Sequence, residues 1–120
     1  MSFFSKQKSE SLPWVSLTSE NQWNDLVDEK NKTTLVFKHS TRCGISSMAL
    51  RRFESEWDRS QDQYRLIFLD LLQYRSLSAA IERDLNVQHQ SPQVIVWRNK
   101  EVIYSASHSS INAEKILSLL

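Results

Sequence analysis

The chain has 120 residues, 40% of them hydrophobic and 24% charged, which suits one globular domain and argues against wholesale disorder. A formal net charge of +1, with no long single-sign block, offers no electrostatic surface for nucleic acid or a membrane. No apolar stretch nears the roughly 20 residues of a membrane span, and a single cysteine excludes an intrachain disulfide.

Residues 1–12 are polar apart from Phe3-Phe4 and read as a loosely ordered terminus, leaving 13–120 as the one domain. They lack an apolar segment behind a basic start, so no signal peptide is expected. Trp14-Val15-Ser16-Leu17 reads as a short edge strand. Ser19 and Gln22 stand at capping-box spacing, and Trp23, Leu26 and Val27 give the following helix its buried stripe. Thr33 to Phe37 is a β-branched and aromatic run, the pattern of a strand covered on both faces.

After a loop, Ile45, Met48, Ala49, Phe53 and Trp57 recur at helical spacing. Leu66-Ile67-Phe68-Leu69 is a second buried strand, and Leu77, Ala80, Ile81 and Leu85 mark another helix. Val94–Trp97 and Val102–Tyr104 flank Arg98-Asn99-Lys100-Glu101, a hairpin with Asn99 suited to positive φ. Ala113, Ile116, Leu117 and Leu120 share one face of a terminal helix. The expected order is β-α-β-α-β-α-β-β-α. Strands alternating with helices imply parallel pairing by right-handed crossovers, and the whole order is that of an α/β, thioredoxin-like mixed sheet with helices on both faces.

The chain's only cysteine and only glycine are adjacent, in His39-Ser40-Thr41-Arg42-Cys43-Gly44-Ile45-Ser46-Ser47. Cys43 falls where a buried strand ends and a long helix begins, and reactive groups in open α/β sheets gather at the carboxyl ends of strands. The first helical turn presents unpaired N–H groups and a partial positive charge, which favours thiolate over thiol. Arg42 is a candidate neighbouring cation, Ser46 a candidate hydrogen-bond donor to the sulfur, and Gly44 leaves the sulfur uncluttered. His39 and His89 are candidate proton donors, and Asp70, at a strand end, is a candidate relay or cap. Ser91-Pro92 directly precedes an apolar strand; in a thioredoxin layout this proline is cis and faces the cysteine loop, turning the backbone of Ser91 toward an incoming chain. The single histidines and Cys43 are too scattered for a structural zinc site, so no metal is expected.

The run Phe37-Lys38-His39-Ser40-Thr41-Arg42-Cys43-Gly44-Ile45-Ser46 resembles the signature of the monothiol bacilliredoxins, thioredoxin-fold proteins that act with bacillithiol. That family reads K-H-S-T-x-C-P-I-S here and E-S-P-Q at its cis-proline. This chain has Gln90-Ser91-Pro92-Gln93 at the second place, and Gly44 where the family has proline. The resemblance runs from about Trp14 to the end of the chain.

It implies that Cys43 is the nucleophile and that bacillithiol is a cosubstrate rather than a bound cofactor. It further implies that S-bacillithiolated proteins are the partners and that Ser91 and Pro92 bind the client or the small thiol. Position 46 is serine, so an adduct on Cys43 must await an external thiol. A free thiol fits a reducing compartment, the cytoplasm, and a monomer is expected. Two other readings stay open. Cys43-Gly44-Ile45-Ser46 is one residue from the C-G-F-S loop of monothiol glutaredoxins, which share a [2Fe–2S] cluster with glutathione; their Gly-Gly-x-Asp element is replaced here by Ser105-Ala106-Ser107-His108. The third is a non-catalytic thioredoxin-fold interaction module.

Overall fold

The computed structural model of the protein describes residues 12–119. Most of the N-terminal segment singled out above, residues 1–11, lies outside the described residues, whereas Leu12 is buried against the core.

The elements follow the expected order. They are β1 (Val15–Ser16), α1 (Glu20–Asp28), β2 (Thr33–His39), α2 (Gly44–Glu56) and β3 (Tyr64–Asp70), followed by α3 (Arg75–Leu85), β4 (Gln93–Arg98), β5 (Glu101–Ser107) and α4 (Ala113–Leu117). A 3-10 turn, His108–Ser110, links β5 to α4. The sheet order is β1-β3-β2-β4-β5. The first three strands of that order are parallel and β4 and β5 are antiparallel to their neighbours, so β2 sits at the centre.

Local chemistry explains the boundaries. Ser19 Oγ accepts the Gln22 N–H at 3.1 Å, while the Gln22 side chain reaches back to the N–H of Thr18 at 2.8 Å, one residue before the reciprocal partner of a capping box. The hairpin turns on Asn99 and Lys100, both at positive φ (53° and 65°), the combination of a tight turn whose twist suits the flanking strands. Helix α3 stops at Asn86, a left-handed residue whose N–H returns to the Glu82 carbonyl.

Two apolar layers enclose the sheet. On one face Val36, Ile67 and Ile95 pack under Trp23 and Leu26 of α1 and Leu77 and Ile81 of α3. On the other Leu35, Phe37 and Val94 pack under Ala49 and Phe53 of α2 and Ile116 of α4. Every residue of β2 is buried, so its two last side chains, Lys38 and His39, are delivered to opposite layers by the strand's alternation. That alternation positions the site.

Candidate functional site around Cys43

Cys43 is the N-cap of α2, with extended backbone (φ −106°, ψ 118°). Its N–H donates to the Ser40 carbonyl at 3.1 Å, closing a turn, and its own carbonyl accepts the Ser47 N–H at 3.1 Å, opening the helix. The thiol is free and the residue half-buried. Among the described residues no group hydrogen-bonds to its sulfur. Arg42 and Gly44 on either side are exposed. A Cβ at Gly44 would meet nothing within 4 Å beyond its chain neighbours, and its φ is not in the left-handed region, so the rest of the fold does not require glycine there.

Ser46 differs from the expectation. It is fully buried, and its hydroxyl is taken up by the Ser40 N–H (3.1 Å) and by Nδ1 of His39 (2.7 Å) rather than by the sulfur. The reason is the pleat of β2, which sends His39 to the α2 side, directly beneath the first helical turn. His39 is itself buried, its ring 5.4 Å from that of Phe68, and burial holds its pKa below the ordinary histidine value against the opposing pull of Asp70 and Glu54. It braces the loop through Ser46 and makes no hydrogen bond to Cys43. Asp70 caps the turn after β3, accepting the Leu72 N–H at 3.2 Å.

The opposite wall is built from the stretch before β4. The Ser91–Pro92 peptide is cis and Pro92 is buried. Gln93 holds this stretch in shape: its side chain donates to the Gln88 carbonyl (3.0 Å) and accepts the Gln90 N–H (3.3 Å). His89 faces α3 instead of the thiol, with Nδ1 2.8 Å from Ser78 Oγ and 3.4 Å from Nζ of Lys38. Burial first, then the charge of Lys38, lowers its pKa.

Between the cysteine turn, α3 and this stretch lies a groove of about 480 Å³, walled by residues that include Ser40, Leu71, Arg75, Glu82, His89 and Ser91. Ser40, whose carbonyl accepts the Cys43 N–H, brings the cysteine turn to the rim of this groove, while Cys43 itself does not line it.

Lys38 is the residue that pattern reading passed over. It is fully buried, and burial drops its pKa to about 8 despite the nearby Glu82. The available signal was a lysine directly after Thr33–Phe37, the run read as covered on both faces, and the strand in fact continues through it to His39. Arg75, Ser78 and Glu82 carried no such signal, being ordinary polar residues of an amphipathic helix.

A single half-exposed cysteine at a helix start, on a sheet of this order with a cis-proline just before β4, defines a monothiol protein of the thioredoxin fold. Solved structures agree on the fold. A thioredoxin-fold protein provisionally assigned as an oxidoreductase is 32% identical, covers 87% of this chain and 90% of its own, and superposes with a TM-score of 0.74. Thioredoxins of Malassezia sympodialis (15% identity, 91% and 89% coverage, TM-score 0.66) and Schistosoma mansoni (17%, 88% and 91%, 0.63) share the fold. The family described as monothiol bacilliredoxin BrxC matches residues 15–116, and the chain belongs to that family.

Proposed function

We propose that this protein removes bacillithiol from S-bacillithiolated proteins by thiol exchange at Cys43. The Cys43 thiolate attacks the bacillithiol sulfur of the client's mixed disulfide. A new disulfide forms between Cys43 and bacillithiol as the old one breaks, and the client sulfur leaves with the electron pair and takes a proton. Neither imidazole hydrogen-bonds to Cys43, and each has its Nδ1 engaged, His39 with Ser46 and His89 with Ser78. A second small thiol then attacks the adduct, releasing Cys43 and an oxidised thiol pair.

The observation that carries this reading is the chain's single cysteine, half-exposed at the start of α2, with the fully buried Ser46 in the place of a resolving thiol. A dithiol protein resolves its own mixed disulfide because the second sulfur is held at high effective concentration. Here nothing within the chain can do so, which suits removal of a small thiol better than reduction of protein disulfides. Ser91 and Pro92 receive the incoming disulfide, Arg42 and Gly44 form the exposed rim, and a reducing cytoplasm keeps Cys43 ready.

Intact mass spectrometry tests the reading. After mixing with a bacillithiolated client, the protein gains one bacillithiol on Cys43 and the client is released reduced, while Cys43→Ser gains none. Absence of transfer from neutral to mildly alkaline pH overturns the proposal. A stable visible chromophore after anaerobic reconstitution with iron and sulfide would favour cluster carriage in its place.

A further inference from the structure

The groove that borders the cysteine turn at Ser40 is charged in an unusual way. Arg75 opens α3 and makes no ion pair or hydrogen bond among the described residues. The first turn of that helix has no acidic residue, and Tyr74 before it offers no side-chain cap, so its N–H groups add to the positive end. Below the wall, the ammonium of Lys38 has three donors and one hydrogen-bond partner, Nδ1 of His89, at a long 3.4 Å. Ser78 shares that same nitrogen. Because Lys38 can only donate, Nδ1 of the neutral ring accepts, and the ring proton sits on Nε2 as a further donor. Finally, Ser91 Oγ is buried and has no hydrogen-bond partner.

Buried polar groups in folded proteins are nearly always paired, so an orphaned Ser91 hydroxyl on the wall of a groove that also holds the unpaired Arg75 guanidinium marks a place for a ligand. Arg75, one helix start and two neutral donors line the groove against a single carboxylate, Glu82, with Lys38 buried behind His89. The ligand that satisfies them is an anion. The volume, about 480 Å³, suits a small molecule rather than an extended peptide.

We infer that this groove seats the non-sulfur end of the small thiol and selects thiols that carry carboxylates, with Arg75 as the specificity-determining contact. The inference rests on the exchange proposed above only for the chemistry at Cys43: the sulfur of the small thiol bonds to Cys43 while its carboxylates lie against Arg75, His89 and Ser91. Glu82 disfavours a second acidic group beyond them and accepts an amine if the thiol has one.

The test uses one client peptide with a single cysteine, blocked in turn as its mixed disulfide with mercaptosuccinate, with mercaptoethanol or with cysteamine. Transfer to Cys43 of the full-length protein is followed by intact mass. The wild type is expected to take mercaptosuccinate about tenfold faster than mercaptoethanol, and cysteamine no faster than mercaptoethanol. Arg75→Glu removes the preference for mercaptosuccinate over mercaptoethanol, and Arg75→Gln falls between it and the wild type.

Equal rates for the three adducts in the wild type overturn the inference, as does a preference that survives Arg75→Glu. So does a uniform loss with all three adducts, which would make Arg75 merely structural. A dependence on Arg75 that follows acidic residues of the client, whatever the adduct, assigns the groove to the client and also overturns it. If the charge preference holds but a bacillithiolated client is refused, the reading of the function fails while the groove stands.

Discussion

Ser46 Oγ stands 2.7 Å from His39 Nδ1 and accepts the Ser40 N–H, so the residue in the place of a second thiol ties the cysteine turn to the end of β2. Ser46→Ala leaves a buried imidazole nitrogen and a backbone N–H without their shared partner. An unpaired buried group costs about 1–3 kcal/mol, and urea unfolding is expected to register a loss of that size. A loss below about 0.5 kcal/mol would mean the pair contributes no more than an ordinary surface contact.

Lys38 is expected to lower the stability of the fold at neutral pH. In the unfolded chain its amine titrates near 10.5, and in the fold near 8, so between those values the unfolded state binds more protons. Stability therefore rises as pH climbs from about 8 to about 10.5 and is lost again on the way down. The shift corresponds to about 3 kcal/mol. Lys38→Met should be more stable than the wild type at pH 7 by about 1–3 kcal/mol, with the difference closing above pH 10. Burial also pushes up the Tyr64 hydroxyl, but Tyr64 is present in both proteins and cancels in the difference. His89 and Glu82, the groups that act on Lys38 or lie against it, belong in the control set. A difference independent of pH would show that the amine titrates in the fold as it does in the unfolded chain, that is, that it is solvated.

Gly44→Pro is expected to be tolerated and stabilising. Position 44 opens α2, where proline's fixed φ suits the helix and its missing N–H is not needed. Cys43 already has the extended backbone that a following proline demands, and a Cβ at 44 meets nothing. Reduced freedom of the unfolded chain should add about 0.4–1 kcal/mol, seen as a rise of a few degrees in Tm. A fall in Tm would show that glycine serves the backbone here after all.

For Ser91→Ala, stability and activity should part. The hydroxyl is buried without a partner, so its removal is neutral or stabilising by up to about 1 kcal/mol, while transfer from a carboxylate-bearing adduct slows severalfold. Thermal unfolding and the mass assay read the two effects separately. A destabilised variant would reveal a partner for this oxygen.

Much of this architecture was legible because it depends on local chemistry. The apolar run of β2, the cap at Ser19 and the Asn99 turn are each decided by side chains within a few residues. The position of Cys43 at a strand–helix junction follows from the same patterns. What stayed hidden was decided by direction. Ser46 and His39 are separated by a turn, and only the pleat of β2 shows that one sits on the other. Lys38 looked like a polar strand end, yet the next layer closes over it because α3 and the 88–91 stretch fold back on that side. Arg75 reads as any surface arginine until the wall opposite it is known.

The neighbouring pair at the end of β2 also bears on how the chain finds this arrangement. Sliding that strand by one residue can drive an ammonium into the place of His39, against the ring of Phe68, and put the phenyl ring of Phe37 where His89 and Ser78 wait for a donor. Both mistakes strand a charge or a polar atom in hydrocarbon. Lys38 and His39 thus act as a threading key that disfavours misaligned pairings of the central strand.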